Sequence, residues 1–220
     1  DRIGAVDGRG QFVDPHRIMA LALKYLVEQR GWRGTVVKTV STTQMINRLA
    51  EKYSLPVIET PVGFDHIADR MLQDEVLIGG EESGGMSIHG HIPEGDGILM
   101  GLLLLEMVAG WGVALEELVE QLLAEVGPSH YSRLDLRLAS PVSKQLIADR
   151  LRDGAPNSIG SLRVHHISDQ DGIKYVMDDD SWLLIRPSGT EPVLRVYAEA
   201  REPRALEQLI SHGRQVAQAG

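Results

Sequence analysis

Two short segments concentrate the residues able to do chemistry. The first is Arg186-Pro187-Ser188-Gly189-Thr190-Glu191-Pro192. Pro187 and Pro192 stiffen its ends. Gly189 lets the backbone turn and come close to a ligand, and Ser188 and Thr190 bring hydroxyl donors. Successive backbone N–H groups in such a turn can form a nest for an anion. Arg186 supplies a planar, charged fork matched to phosphate, and Arg195 can add a second positive charge from the strand that follows. The same residues also fit a rigid hairpin carrying an ordinary surface arginine, since many Ser-Gly-Thr turns bind nothing.

The second segment is Gly79-Gly80-Glu81-Glu82-Ser83-Gly84-Gly85. It follows the apolar run Val76-Leu77-Ile78, which places it at the carboxyl end of a strand, where α/β folds bind ligands. Glu81 and Ser83 are two residues apart and point the same way in an extended loop. A carboxylate accepts hydrogen bonds from neighbouring sugar hydroxyls, and a serine donates or accepts, so the pair suits a polyhydroxylated ligand. Adjacent acidic residues can instead bind a metal or act as acid and base, and a loop of this kind can also be a flexible surface connection.

The elements that must position these segments are legible from periodicity. Asp14-Pro15 reads as an N-cap with proline at the first helical position. Ile18, Leu21, Ala22, Tyr25 and Leu26 then recur at helical spacing up to Gly31. A β-branched run over 35–40 predicts a strand. A helix through Met45, Ile46, Leu49 and Tyr53 follows, then a short strand at 55–58, a helix over 64–72 and the strand at 76–78. Helices over about 96–109 and 114–125 close this half. Strands alternating with helices predict an α/β, three-layer domain on a mainly parallel mixed sheet. Beyond it, Leu134, Leu136 and Leu138 alternate with polar residues. A helix over about 141–151, strands near 162–167, 173–177, 181–186 and 193–199, and a helix over 204–216 predict a smaller α+β domain with an antiparallel sheet and two helices.

Composition supports this division and narrows the function classes. Residues 1–126 hold 10 Lys/Arg against 19 Asp/Glu, and residues 127–220 hold 12 of each. The shift coincides with the turn chemistry of Gly127-Pro128-Ser129, so the expected domains are 1–126 and 127–220. A net charge of −9 argues against a nucleic-acid partner. With no cysteine there is no disulfide, thiolate metal site or catalytic thiol. The apolar stretch Ile98–Gly110 falls short of the ~18 residues that suggest a membrane span and reads as a buried helix. No signal-peptide pattern opens the chain. The expectation is a cytoplasmic protein without a membrane partner.

The two loops, in this order, resemble those of the α-D-phosphohexomutases, the phosphoglucomutase and phosphomannomutase type. Val37 to Thr43, Thr60-Pro61-Val62-Gly63-Phe64, the Gly80–Gly85 loop, Gly90-His91-Ile92-Pro93-Glu94 and Asp96-Gly97-Ile98 resemble that family's third domain. Gly172-Ile173-Lys174-Tyr175, Ser181-Trp182-Leu183-Leu184-Ile185 and the turn from Arg186 to Pro192 resemble its fourth. The resemblance implies an intramolecular phosphotransferase. A phosphoserine gives its phosphoryl group to one end of a hexose monophosphate, the bisphosphate reorients, and the other phosphoryl group returns to the serine. It implies that Glu81 and Ser83 hold ring hydroxyls, and that Arg186, Ser188, Gly189, Thr190 and Arg195 hold the nonreacting phosphate. Asp1-Arg2-Ile3 is similar to the end of the family's magnesium loop, which makes Asp1 a Mg2+ ligand and Arg2 the neighbour of the phosphoserine. On this reading the serine and the other metal carboxylates belong to N-terminal domains of the same protein, and this chain alone is inactive. The implied partners are a hexose phosphate, glucose first, and a hexose bisphosphate. The alternative is a noncatalytic sugar-phosphate-binding module.

Three positions depart from the family pattern. Asp65 stands where relatives carry a phosphate-binding lysine, His89 where arginine is expected, and Gly95 where lysine is common. Each removes positive charge. Among the histidines, His66, His89 and His91 fall near the implied site. His91 is the candidate for proton transfer, with a structural hydrogen bond as the more usual role. His165-His166 reads as a pair of strand residues, and Asp178-Asp179-Asp180 as a solvated hairpin tip.

Overall fold

In the computed structural model, residues 1–138, 143–188 and 192–218 are described. The chain divides into two compact units, Asp1–Gly127 and Pro128–Gly220.

The first unit is built on a four-stranded mixed sheet. Its strands are β3 (Thr35–Thr39), β4 (Val57–Thr60), β5 (Val76–Gly80) and β6 (Met86–Ile88), in the order β4-β3-β5-β6. β4, β3 and β5 run parallel, and β6 pairs antiparallel with β5. Strand alternation sends Val36 of β3 into the larger apolar core and its neighbour Val37 to the other face. There Val37 meets Ile67 and Met71 of α3 (Phe64–Gln73). On the larger side, α1 (Pro15–Glu28) lies almost wholly inside, with Ile18, Leu21, Leu23 and Leu26 fully covered. Its start follows the sequence reading: Asp14 accepts from the Arg17 amide and Pro15 opens the first turn. α2 (Met45–Tyr53), α4 (Gly97–Trp111) and α5 (Leu115–Val126) join α1 in that core. Two helical layers thus enclose the sheet, as the alternating pattern predicts.

The apolar stretch 98–110 departs from expectation. Met100, Leu103, Leu104 and Met107 are buried, but Ile98, Leu102 and Leu105 are 78%, 62% and 67% exposed. The helix is therefore not buried all round. Glu106, the single charged residue of the helix, lies one turn from Leu102 and is the sign in the sequence of which side stays uncovered. No single described helix is long and apolar enough to cross a membrane.

A small hairpin, β1 (Ala5–Val6) with β2 (Phe12–Val13), precedes α1 and was not visible in the sequence. Its tip is held by Asp7, whose Oδ1 accepts from the Arg9 and Gln11 amides.

The second unit is a six-stranded antiparallel sheet. Its strands are β7 (His130–Arg137), β8 (Ser158–Ile159), β9 (Leu162–Ser168), β10 (Ile173–Met177), β11 (Trp182–Pro187) and β12 (Val193–Ala200), ordered β7-β12-β11-β10-β9-β8. Leu183, Ile185, Val196 and Ala198 face a core completed by α6 (Lys144–Asp153) and α7 (Pro203–Gln218), through residues such as Leu151, Ala205 and Leu209. The Tyr175 hydroxyl donates to the Leu151 carbonyl at 2.7 Å and ties β10 to α6. The predicted α/β layer followed by a smaller antiparallel α+β domain is the architecture observed.

Candidate functional site

In the first unit the glycine-rich segment closes the antiparallel pair β5–β6. The Glu81 amide donates to the Gly85 carbonyl at 3.0 Å, and the Gly84 amide to the Glu81 carbonyl at 3.0 Å. The segment is a tight turn and not an extended loop. Even so, it brings Glu81 and Ser83 together, and the Ser83 hydroxyl donates to Glu81 Oε1. The two side chains are brought together by a turn, where the sequence reading expected an extended loop. Both side chains are half-buried.

Two further segments converge on this turn. The Ile3 amide donates to the Gly84 carbonyl at 3.1 Å, and Arg2 forms an isolated antiparallel bridge with Gly85. Glycine makes this approach possible: Gly84 has φ +103°, and a Cβ there would sit 2.6 Å from the Ile3 carbonyl oxygen. A Cβ on Gly97 would collide with the Arg2 carbonyl. Asp1 and Arg2 therefore lie against both the 81–85 turn and the start of α4. Gly95, a departure from the family pattern, fits here too: a Cβ would meet the Asp1 carbonyl oxygen and the Gly85 Cα, both at 3.2 Å.

His91 sits at that same helix start. Its Nε2 is 3.0 Å from Asp96 Oδ2. Asp96 Oδ1 accepts from the Ile98 and Leu99 amides at 2.9 and 3.0 Å, capping α4. The amide of Leu99 above all, with His91 beside it, holds the Asp96 carboxyl below its ordinary range. His91 thus makes the structural hydrogen bond that competes with a proton-transfer role.

The other departures have local surroundings. Asp65 is exposed in the first turn of α3, where a negative charge favours the helix dipole. His89 stacks edge-on to Trp32, with ring centroids 5.9 Å apart.

Lys38 was missed as more than a strand residue. It is fully buried, and its Nζ donates to the Thr42 and Thr43 carbonyls at 3.2 and 3.0 Å, with Glu59 Oε2 at 3.5 Å. A buried ammonium needs such partners. It orders the segment after β3, from which the Ser41 hydroxyl reaches Glu82 Oε2 at 3.2 Å. The one available signal was a lysine inside an otherwise apolar, β-branched strand.

Asp1 and Arg2 are 91% and 67% exposed at their side chains and lie 3.9 Å apart. Among the described residues no group of three or more His, Asp or Glu side chains could hold a metal ion. The residues present therefore do not by themselves form the magnesium site that the resemblance implied for Asp1.

In the second unit, Arg186 and Arg195 stand directly opposite one another in the β11–β12 register. Arg195 in turn faces Asp135 across β12–β7. Alternation places all three on the face away from α6 and α7. Like charges directly opposite are unfavourable, and each arginine has a carboxylate beside it. Arg186 Nε donates to Asp171 Oδ2 at 2.7 Å, and Arg195 Nε is 3.8 Å from Asp135 Oδ2. Hydrogen bonds from Arg133, before the charge of Arg195, hold the Asp135 carboxyl below its usual range. Arg186 is only 15% exposed at its side chain, so it is not an ordinary surface arginine. The Ser188 amide donates to the Val193 carbonyl at 2.8 Å and closes the turn. Gly189 and Thr190 lie outside the described residues.

His165 and His166 are exposed on β9 with rings 5.5 Å apart. Asp178–Asp180 forms the β10–β11 turn, where Asp179 accepts from the Ser181 amide and hydroxyl at 3.0 Å each.

Comparison with known proteins places these features in a family. Residues 14–126 match the model described as phosphoglucomutase/phosphomannomutase, alpha/beta/alpha domain III, and residues 143–212 that of the phosphoglucomutase/phosphomannomutase C-terminal domain. The chain is 34% identical over 215 residues to a phosphoglucosamine mutase of Methanococcus aeolicus, covering 97% of this chain and 45% of that protein. It is 32% identical to a phosphoglucomutase of Komagataeibacter xylinus, covering 91% and 39%. A crystal structure of a putative phosphomannomutase from Thermus thermophilus superposes with a TM-score of 0.81 at 33% identity, covering 99% of this chain and 44% of that one. The chain thus spans less than half the length of these relatives.

Proposed function

The chain belongs to the phosphoglucomutase/phosphomannomutase family, and we propose that it is the sugar- and phosphate-holding part of a hexose-phosphate mutase. The activity of the whole protein is transfer of a phosphoryl group between C1 and C6 of a hexose, through a phosphoserine and a bisphosphate intermediate. The observation that carries the reading is the cross-strand pair Arg186–Arg195 at the mouth of the Pro187–Pro192 turn. Two guanidinium groups on one sheet face favour an anion between or beside them, and the planar fork of Arg186 suits a phosphate.

Within this reading each residue has one task. Arg186, Arg195, Ser188, Gly189 and Thr190 hold the phosphate that is not reacting. Glu81 accepts hydrogen bonds from ring hydroxyls, and Ser83, now bonded to Glu81, can donate to or accept from a neighbouring one. Binding the remote phosphate positions the reacting end, which is how such contacts raise rate and not only affinity. Arg2, beside the Glu81–Gly85 turn, stands next to the phosphoserine of the complete enzyme. Residues 1–126 act as the sugar-binding domain and 127–220 as the phosphate-binding domain. Magnesium and the cytoplasm belong to the same proposal.

Glucose is the proposed hexose, on the resemblance of Gly80-Glu81-Glu82-Ser83-Gly84-Gly85 to glucose-type loops. Relatives named for glucosamine and mannose phosphates make the competing substrates concrete. Titration calorimetry of this chain with glucose 1-phosphate, glucosamine 1-phosphate, mannose 1-phosphate and plain glucose tests the proposal. The expected order puts glucose 1-phosphate tightest, with its advantage over glucose shrinking as salt rises. Equal affinity for phosphorylated and plain glucose overturns the phosphate-holding role. A preference for another hexose overturns the choice of glucose alone.

A further inference from the structure

The turn between β9 and β10, residues 169–172, is fixed on both sides by charged pairs. Gly172 has φ +89°, and a Cβ there would stand 2.6 Å from the Ile185 carbonyl oxygen and 3.0 Å from the Arg186 Cα. Only glycine lets the turn lie this close to the end of β11. That approach delivers the Asp171 carboxylate to Arg186, with Oδ2 2.7 Å from Nε and the side chains 21% and 15% exposed. On the other side, Asp169 Oδ2 accepts from Arg152 Nη2 at 2.7 Å, and Arg152 Nη1 also reaches Asp149 Oδ1 on α6 at 3.1 Å. The turn that carries Asp171 is thus tied through Asp169 to Arg152 on α6.

We propose that Asp171 is a positioning residue for the phosphate grip. It fixes the guanidinium of Arg186 through Nε, so that an arriving phosphate meets an oriented fork and not a mobile chain. This rests on the reading of Arg186 as the phosphate anchor. Arginine has large rotamer freedom, and a donor already ordered loses less of it on binding. Asp171 also carries a negative charge that opposes an anion. Orientation outweighs that repulsion in this arrangement, and the two effects can be separated. Asp171→Asn keeps an acceptor where Oδ2 stands and removes the charge, whereas Asp171→Ala removes both.

The test is calorimetric titration of the 220-residue chain and its variants with glucose 1-phosphate and with glucose. Asp171→Ala is expected to weaken glucose 1-phosphate binding by about five- to thirtyfold, the effect of releasing one long side chain, and to leave glucose binding unchanged. Asp171→Asn is expected to bind glucose 1-phosphate at least as tightly as wild type, with a steeper salt dependence. Asp171→Ala on the Arg186→Ala background is expected to add no further loss, because the role acts through Arg186. Wild-type affinity in Asp171→Ala overturns the positioning role. So does a loss in Asp171→Asn as large as that expected for alanine, which remains informative should the alanine variant fail to fold. A further loss on the Arg186→Ala background overturns it as well. Failure of the underlying reading is distinct: Arg186→Ala itself would then bind glucose 1-phosphate like wild type.

Discussion

Replacing Arg186 by alanine is the sharpest perturbation of the phosphate grip. Arg186 faces Arg195 across the β11–β12 pair and donates to Asp171 at 2.7 Å. A hydrogen bond to a charged group contributes about 1.5–3 kcal/mol, and a bidentate arginine can make two. Asp171 already takes one donor of the five, so a full double contribution overstates the gain. A loss of about 1.5–3.5 kcal/mol follows, or roughly ten- to several-hundredfold in affinity for glucose 1-phosphate. Plain glucose, whose hydroxyls the proposed function gives to Glu81 and Ser83, should be scarcely affected. The variant also removes the Arg186 partner of the Asp171 carboxylate, so the second unit should lose some stability, about 1–2 kcal/mol for a pair at this exposure. Arg186→Lys controls for that, since it restores a charge beside Asp171 without the fork, and its affinity should fall between wild type and alanine. Calorimetry with both ligands, alongside a thermal melt, reads all of this. Unchanged affinity for glucose 1-phosphate in a folded Arg186→Ala protein would refute the assignment. Equal loss for glucose and glucose 1-phosphate would show instead that the substitution disturbs the fold beyond its own site, which the thermal melt would also reveal.

Four further outcomes are expected. Gly97→Ala should destabilise the first unit and lower its melting temperature, because the new Cβ collides with the Arg2 carbonyl. Asp96 has its carboxyl held below the ordinary range, so its contribution is present above its unfolded-state value of about 4 and is lost as pH falls through the lower folded-state value. Asp96→Asn should therefore show a shallower loss of stability on acidification, measured by denaturant melts at a series of pH values. Asp65→Lys should tighten glucose 1-phosphate binding with marked salt sensitivity if residue 65 faces the ligand, at a small expense in α3 stability from reversing the charge at its N-terminal turn; calorimetry at low and high salt reads the first effect and thermal melts the second. The 220-residue chain should not interconvert glucose 1-phosphate and glucose 6-phosphate in a coupled assay, since the proposed mechanism needs a phosphoserine that it does not supply.

Much of the fold was legible because its longer elements carry period and punctuation together. α1 begins where Asp14 and Pro15 said it would, and β10 spans 173–177 as read. Strands of two or three residues, β1, β2, β6 and β8, have too few side chains to show alternation and were passed over. α4 misled for the opposite reason: Ile98, Leu102 and Leu105 are as apolar as their buried neighbours, and Glu106 alone in the helix marks the open side. Among the candidate residues, Glu81, Ser83 and Arg186 could be singled out because each sits in a segment punctuated by glycine or proline. Asp171 could not, because its meaning depends on a strand 15 residues later folding back beside it. Lys38 showed only as a lysine out of place in an apolar strand: the two carbonyls it bonds belong to the backbone, and any sequence has those.

The central claim of the proposed function is that the Arg186 region of the second unit holds the phosphate of a sugar phosphate. Amide chemical shifts followed during titration of the isotopically labelled chain with glucose 1-phosphate test it most directly. The account predicts that resonances of Arg186 and Ser188 move and saturate with glucose 1-phosphate, move also with inorganic phosphate, and stay in place with plain glucose. Arg186 and Ser188 resonances left unmoved by glucose 1-phosphate, or moved as much by plain glucose, would contradict it.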